Sequence, residues 1–260
     1  MPTVLAVMAH PDDIEILCAG TLILLKEAGW DVHLATMTAG DLGSMRHSRP
    51  AIAKIRRKEA AASASLLGAG YTCLGFDDLT VAYSPHAKRV VTGLLRAVEP
   101  DLLVLHSPDC YMADHTESAR IAREAAFAST IPNWKATWKG RPIKACAKMP
   151  AVLYADPIDH VDALGRRVRA RYVVDITSVL AAKEKMLSAH DSQRRWLREQ
   201  HGEDEYLLWM RRMGADRARD LADPAVQAAE GFVPHLGHGF PRDHHLGRAL
   251  GSKVRELSGE

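Results

Sequence analysis

The segment of the chain best suited to chemistry is residues 9–13, Ala-His-Pro-Asp-Asp. It follows a short apolar run and precedes a segment with helical spacing. A helix beginning near Pro11 would point its first-turn amides at the carboxylates. His10 and Asp13, three residues apart, could then face one point in space. One imidazole and one carboxylate could share a cation there.

A second candidate segment is residues 106–115, His-Ser-Pro-Asp-Cys-Tyr-Met-Ala-Asp-His, which follows another apolar run. A hydrolytic zinc site uses three protein ligands and keeps one position open for water. We expect His115 to supply the third ligand, and Asp12 to stay unliganded, in place to take a proton from water. Either segment alone is typical of a helix cap with ordinary loop histidines. Two such segments at successive strand ends favour a metal site.

The elements that must position these residues alternate between apolar runs and helical patterns. Strands are predicted at 3–8, 31–38, 71–74, 102–105, 151–154 and 171–174, and helices at 19–28, 51–67, 86–98, 113–129 and 177–198. Because the first strands are apolar on both sides, they suit a parallel sheet covered on both faces. The alternation predicts an α/β fold, a Rossmann-like three-layer sandwich with a mostly parallel sheet and the active site at the carboxyl ends of the strands.

The domain organisation follows from length and pattern. A chain of 260 residues suits one core. We expect a Rossmann-like catalytic domain over residues 1–200 and a helical and irregular extension over residues 201–260, packed on the same domain. Residues 134–142 are the best candidate for a mobile surface loop that could cover a site.

The composition excludes several classes of partner. The formal net charge is +2, with 34 basic and 32 acidic residues, so we expect neither nucleic acid nor membrane as a partner. The four cysteines lie far apart and are expected to be reduced thiols. Without a basic leader, and with no apolar stretch near ~18 residues, the protein is expected to be cytoplasmic.

These motifs resemble the LmbE/PIG-L family of N-acetylglucosaminyl deacetylases. The resemblance rests on Ala-His-Pro-Asp-Asp near the N-terminus and on the Asp114-His115 pair after the fourth strand. Further segments that agree are Thr38-Ala39-Gly40-Asp41, Arg56-Arg57-Lys58-Glu59-Ala60, Tyr154-Ala155-Asp156-Pro157, His190-Asp191-Ser192-Gln193 and Ala229-Glu230-Gly231-Phe232. The resemblance covers most of the chain. It implies a zinc (Zn2+) cofactor, a small amino-sugar substrate and a homo-oligomer.

The resemblance also implies roles for individual residues. They are the zinc ligands His10, Asp13 and His115, the general base Asp12, the further catalytic residue Asp114, and the substrate contacts Arg56 and Asp78.

One position departs from the family pattern. Many relatives read His-Pro-Asp-His where this chain has Met112-Ala113-Asp114-His115, and methionine cannot donate a proton. Either the metal carries the oxyanion alone, or a neighbour such as Tyr111 or His190 supplies the missing donor. We name Tyr111 as a catalytic candidate and His190 as a substrate-binding one.

The sequence therefore predicts a zinc-dependent hydrolase that deacetylates an N-acetylglucosamine-type amino sugar or its conjugate. Two alternatives stay open. One is a zinc amidase acting on a larger acyl amide, and the other is a catalytically weak carbohydrate-binding protein.

Overall fold

The apolar runs of the sequence form a central sheet of eight strands. The computed structural model describes residues 1–201 and 204–257. The strands are β1 (Thr3–Met8), β2 (Asp31–Thr38), β3 (Gly70–Phe76), β4 (Leu102–Leu105), β5 (Ala136–Trp138), β6 (Arg141–Ile143), β7 (Ala151–Ala155), β8 (Tyr172–Asp175), β9 (Ala229–Pro234) and β10 (Val254–Glu256). Of these, β5 and β6 form a separate two-stranded sheet.

The order of the strands in the central sheet is β10-β8-β9-β7-β4-β1-β2-β3. The strands from β7 to β3 pair in parallel, whereas β9, β8 and β10 pair antiparallel. The chain builds outwards from β1 through β2 to β3, and then returns to place β4 on the other side of β1. The carboxyl ends of β1 and β4 therefore flank a topological switch point, where open α/β sheets bind ligands.

Helices cover both faces of the central sheet. They are α1 (Asp13–Leu17), α2 (Ala19–Glu27), α3 (Arg49–Leu66), α4 (Pro85–Val98), α5 (Ala113–Ser129), α6 (Leu180–Ser188), α7 (Asp191–His201), α8 (Glu205–Ala218) and α9 (His245–Leu250). One apolar core joins α1, α2, α6 and α8 to one face, and a second core joins α4 and α5 to the other. The predicted three-layer α/β fold is confirmed. Within the described residues, no helix is both long and apolar enough to cross a bilayer.

The long helix predicted at 177–198 is wrong in one respect, because it is broken. A short 3-10 turn leads into α6, and α7 starts afresh at Asp191. The break is stabilised from outside the segment, since the backbone N–H and the hydroxyl of Ser192 both donate to the carboxylate of Glu59 on α3. That carboxylate caps the start of α7, as an N-terminal acidic partner should.

The mobile loop predicted at 134–142 is also wrong, because β5 and β6 form an antiparallel hairpin there. Lys139 and Gly140 connect the strands, and both have positive φ, as in a type I′ turn. The hairpin packs on α4, where Gly93 allows the close approach: a Cβ at this position would lie 2.2 Å from the carbonyl oxygen of Thr137.

The predicted C-terminal extension, residues 201–260, contributes two strands that the sequence analysis did not include. β9 lies between β7 and β8, and β10 forms one edge of the sheet. This segment is therefore not only helical and irregular. The domain boundary at residue 200 stays a prediction, and residues 202, 203 and 258–260 lie outside the described part of the chain.

Candidate metal centre

The turn after β1 supplies the first half of the site. β1 ends at Met8 and α1 begins at Asp13, so His10 and Asp12 lie in the tight turn between them. The backbone N–H of His10 donates to Asp13 Oδ2 at 2.7 Å and closes that turn. Asp12 has a φ of 100°, a left-handed conformation that costs a residue with a Cβ about 1–3 kcal/mol. The turn therefore holds Asp12 in an unfavourable backbone conformation beside a ligand candidate.

The loop after β4 supplies the second half. His106 follows the last residue of β4 directly, and His115 lies in the first turn of α5. Because β4 pairs with β1 in parallel, both segments emerge at the same sheet edge. The rings of His106 and His115 stack with centroids 4.1 Å apart, and the ring centroid of His10 lies 5.3 Å from that of His115.

His10, Asp13 and His115 come together as a possible ligand set. Each offers one ligand atom, and these atoms all lie within 4.8 Å of one another. His10 Nδ1 is 3.3 Å from Asp13 Oδ2, and His115 Nε2 is 3.6 Å from Asp13 Oδ1. All three residues are buried. Two imidazoles and one carboxylate at this spacing are a donor set that zinc accepts.

The electrostatics of the cluster favour a cation. Burial lowers the pKa of His10, but hydrogen bonds to Asp114 and Asp13, and the charges of Asp13 and Asp78, outweigh that effect and raise the pKa to about 10. Burial, with the nearby His106, lowers the pKa of His115 to about 3, so its imidazole is neutral and has a free lone pair. The carboxylates that stabilise positive charge on His10 would equally stabilise a divalent ion.

Two neighbours orient the ligand candidates. His106 Nε2 lies 3.1 Å from Asp13 Oδ2 and 3.0 Å from the amide nitrogen of Ala9. Cys110 Sγ lies 3.3 Å from His115 Nδ1, so it is Nε2 of His115 that faces Asp13. Partners of this kind fix the orientation of a ligating ring. His106 was not predicted as a site residue, although its place directly after β4 mirrors that of His10 after β1.

Asp114 was predicted to be catalytic, but its contacts fit a positioning role. It accepts hydrogen bonds from the backbone N–H groups of Leu79 and Val81, and Oδ2 lies 3.3 Å from His10 Nε2. Only 1% of the residue is exposed. Asp114 thus fastens the segment after β3 and holds the ring of His10.

Asp12 lines the same cleft as His10, Asp13 and His115, but its described hydrogen bonds go to α3 and α8 and not to a histidine. Its Oδ2 accepts hydrogen bonds from Arg56 Nη2 at 2.9 Å and from the hydroxyl of Tyr206 at 2.6 Å. Among the described residues, no hydrogen bond is made to its Oδ1. Burial raises the pKa of Asp12 despite the opposing charge of Arg56. This carboxylate is therefore held at one oxygen and more basic than usual, as a general base should be.

Arg56 was predicted to contact substrate, and it does line the cleft. Its guanidinium is nevertheless largely committed to the protein, since it also donates to the carbonyl oxygens of Pro11 and Gly40. Gly40, at a φ of 64°, leaves room for it: a Cβ there would lie 2.0 Å from Arg56 Nη1. This close approach explains the Gly in the Thr38-Ala39-Gly40-Asp41 motif.

Asp78, the other predicted substrate contact, also lines the cleft. Its Oδ1 accepts a hydrogen bond from the hydroxyl of Thr38, and its Oδ2 accepts one from the backbone N–H of Leu42. His10 Nε2 lies 3.6 Å from Oδ1. Asp78 therefore contributes negative charge next to His10 and holds the loop after β2.

The structure does not support the predicted substrate contact of His190. This residue is fully buried, it is not among the described residues that line the cleft, and its Nε2 lies 3.2 Å from Glu15 Oε1. The last residue of the same motif, Gln193, lines the cleft, and its Nε2 donates to the carbonyl oxygen of Gly43. Of the two candidate donors, only Tyr111 is exposed to the cleft.

Aromatic side chains form much of the rim of the cleft, which encloses about 370 Å³. Tyr111 comes from the loop before α5, Trp196 from α7, and Tyr206 and Trp209 from α8. Met112 also lines it. Trp196, Tyr206 and Trp209 were not predicted as site residues, because the local sequence does not show which side of α7 and α8 faces the sheet edge.

Glu230 and Asp156, from two further motifs of the resemblance, accept buried hydrogen bonds from other elements of the fold. Glu230 accepts hydrogen bonds from the backbone N–H groups of Gly20 and Thr21 at the start of α2, and from Lys183 Nζ. Asp156 Oδ2 accepts one from Arg217 Nε at 2.7 Å. These buried pairs connect the C-terminal strands and helices to the rest of the fold.

Comparison with known proteins places the site in a family. The sequence model of the PIG-L family, described as GlcNAc-PI de-N-acetylase, matches residues 5–126, from β1 to most of α5. Residues 5–126 are a PIG-L family domain. The match spans both segments of the candidate metal centre, and the resemblance seen in the sequence is confirmed.

Similar proteins extend beyond this PIG-L domain. A diacetylchitobiose deacetylase of Thermococcus kodakarensis is 26% identical over 79% of this chain and 73% of its own. The structure of the N,N'-diacetylchitobiose deacetylase of Pyrococcus horikoshii covers 92% of this chain and 87% of its own, at 25% identity and a TM-score of 0.75. A 4-oxalmesaconate hydratase of Pseudomonas putida is 27% identical over 50% of this chain and 54% of its own. The relatives are deacetylases and a hydratase, which supports an enzymatic function.

Proposed function

We propose that the protein is a zinc-dependent deacetylase of an N-acetylglucosamine-type amino sugar or its conjugate. The observation that carries this proposal is the convergence of His10, Asp13 and His115 at the switch point, beside the unliganded carboxylate of Asp12. The similarity to two deacetylases supports the reaction class. A cytoplasmic, homo-oligomeric enzyme remains part of the proposal.

The chain's own residues would divide the work. His10, Asp13 and His115 would hold the zinc ion, which when bound supplies Lewis-acid polarisation of the amide carbonyl and lowers the pKa of a water molecule. Asp12 would accept the proton from that water at its Oδ1, because Oδ2 is occupied by Arg56 and Tyr206. The proton would then pass to the departing amine, and the acyl group would leave as acetate.

Tyr111 is the proposed replacement for the family histidine at Met112. Its ring lies edge-on to His115, with centroids 5.4 Å apart, and faces the cleft. Partial burial and the nearby charge of Asp13 raise its pKa, so the phenol keeps its proton at neutral pH and can donate a hydrogen bond to developing charge.

A hydratase is the second candidate, and a specific observation favours it. Hydration of a carbon–carbon double bond adds hydroxide to one carbon and a proton to the other, so it needs no proton donor for a leaving amine, the role that Met112 cannot fill. The similarity to the Pseudomonas putida hydratase points the same way.

One assay separates these reactions. Zinc-loaded protein is incubated with N-acetylglucosamine, its glycosides and disaccharides, with longer N-acyl analogues, and with unsaturated dicarboxylates; amine release and loss of the double bond are measured. The proposal predicts amine and acetate in equal amounts from at least one N-acetyl sugar, and loss of that activity with a chelator. Hydration without amine release would replace it with the second candidate, and turnover restricted to longer acyl chains would indicate the amidase.

A further inference from the structure

Two stretches of the chain without acidic residues lie together on the α4 side of the sheet. Residues 79–98 contain three Lys and Arg, residues 125–155 contain five, and neither stretch contains Asp or Glu. The first stretch includes α4, and the second includes the β5-β6 hairpin that packs on it. The chain as a whole is nearly neutral, so this is a local separation of charge.

A concave site lies between α4 and the hairpin. It encloses about 1120 Å³ and shares no described lining residue with the cleft of the candidate metal centre. We call it the basic cleft. Its cationic lining residues are Arg89, Arg96, Lys135, Lys139 and Lys144, joined by His86, and none of its described lining residues carries a carboxylate. The indole of Trp138 provides a flat apolar surface within it.

The basic cleft is built on fixed contacts. Trp134 Nε1 donates to the hydroxyl of Thr92 at 3.2 Å, near the close approach of Gly93 to the hairpin. At the other end, Arg96 donates to the carbonyl oxygen of Ile143 and to carbonyls at the end of α5. Arg96 therefore serves the fold, and the hairpin cannot fold away from α4 without breaking these bonds.

The remaining cations of the cleft have no acidic partner. In residues 1–201 and 204–257, no ion pair involves Arg89, Lys135, Lys139 or Lys144, whereas Lys88 and Lys148 just outside the cleft each approach a carboxylate. Arg89 stacks over the ring of Trp134 at 4.5 Å. Four unpaired cations around one concavity create a positive potential that an anion would satisfy.

The charge pattern argues against a symmetric contact with a second copy of the chain. In a two-fold interface the same surface meets itself, so these cations would face one another without a carboxylate between them. Like charges opposed in this way are repulsive. A concave site of this size, with an apolar wall and a few charged groups, is instead typical of small-molecule binding.

We propose that the basic cleft binds a small polyanion with a flat ring, of the nucleoside polyphosphate class. Arg89, Lys139 and Lys144 would contact the phosphate groups, and Trp138 would pack against the ring. This binding is separate from the amide chemistry proposed for the metal centre.

The test uses the full zinc-loaded chain and isothermal titration with ATP, inorganic tripolyphosphate and a hexaglutamate peptide. We expect saturable ATP binding, weaker binding of tripolyphosphate, and the weakest binding of the peptide. The double variant Arg89→Glu/Lys139→Glu should weaken ATP binding by about tenfold or more, since each exposed contact contributes modestly. Its melting temperature should fall only slightly, because both side chains are exposed, neither is in an ion pair, and only the stacking of Arg89 on Trp134 is lost.

The matched control reverses two exposed cations elsewhere, Lys185→Glu/Arg255→Glu. It should keep ATP affinity within about twofold, although it changes the net charge by the same amount. Equal weakening in both double variants would reduce the effect to general attraction and overturn the proposal. So would tripolyphosphate binding as tight as ATP binding, and tighter binding of the peptide would indicate an acidic protein partner instead.

Discussion

Asp12 and Asp13 are adjacent in the sequence, yet their surroundings in the cleft shift their pKa values in opposite directions. Asp13 faces three histidines; burial opposes its ionisation, but His115 and His106 lower its pKa well below the usual range. Asp12 faces Arg56 and Tyr206, and there burial dominates and raises the pKa. We call the surroundings of Asp13 the ligand side of the cleft and the surroundings of Asp12 the base side.

The difference shows how one turn can supply two functions. A carboxylate that stays ionised is suited to holding a cation, and one with a raised pKa is suited to accepting a proton. Asp12 and Asp13 contact different residues although they are neighbours in the chain, and the turn between β1 and α1 holds Asp12 at a positive φ. Variants on each side should therefore fail in different ways.

The largest expected effect is on the ligand side. His115→Ala should lose most of its zinc and reduce turnover to background, because two remaining ligands hold the ion poorly. Metal analysis after dialysis against a weak chelator measures this. His33→Ala is the matched control, since His33 pairs with Asp31 on β2 outside the cleft. One zinc per chain in His115→Ala would remove this residue from the ligand set.

On the base side, Asp12→Asn should keep its zinc but lower kcat by about a hundred- to ten-thousandfold. The base must be deprotonated to act, so wild-type kcat/KM should fall as the pH drops through the raised pKa of Asp12. Because asparagine does not titrate, this acid limb should vanish from the residual activity of the variant. Unchanged turnover would show that Asp12 is not the base.

Asp114→Asn tests a positioning residue on the ligand side. The amide oxygen can accept from only one of the N–H groups of Leu79 and Val81, which donate to different oxygens of Asp114, and the charge beside His10 is lost. Zinc affinity should fall by about ten- to a hundredfold, as for other groups that orient a ligand. Competition with a chelating dye measures it, with Asp31→Asn, the partner of His33, as the control. An unchanged affinity would mean that Asp114 serves only the backbone of residues 79–81.

The smallest effect is expected on the base side from Tyr206→Phe. Losing one hydrogen bond to Asp12 Oδ2 should lower kcat by about tenfold while zinc content and KM stay the same. Steady-state kinetics beside Tyr154→Phe, whose hydroxyl lies 3.1 Å from His235 outside the cleft, provides the comparison. A change in KM alone would make Tyr206 a substrate contact instead.

The sequence predicted the ligand side better than the base side, for a physical reason. His10, Asp13 and His115 follow strands whose apolar runs are visible locally, and parallel pairing brings such strand ends together. Tyr206 lies 194 residues from Asp12 in the chain, and only the packing of α8 brings it there. A residue of this kind leaves no local pattern.

The same distinction explains the corrected elements. The helix break before α7 depends on Glu59, 133 residues away from Ser192, so periodicity alone could not show it. The place of β9 between β7 and β8 likewise depends on pairing between strands that lie far apart in the sequence. The hairpin at 136–143 did carry a local signal in Lys139-Gly140, but lysine is an unusual residue at positive φ.

The most direct test of whether His10, Asp13 and His115 bind one zinc ion is anomalous diffraction at the zinc edge from crystals of the zinc-loaded protein. Our account predicts one strong peak in contact with His10, Asp13 Oδ1 and His115 Nε2, with Asp12 beside it but not bound. A peak elsewhere, or its absence between these three residues, would contradict the metal centre and the deacetylase proposal built on it.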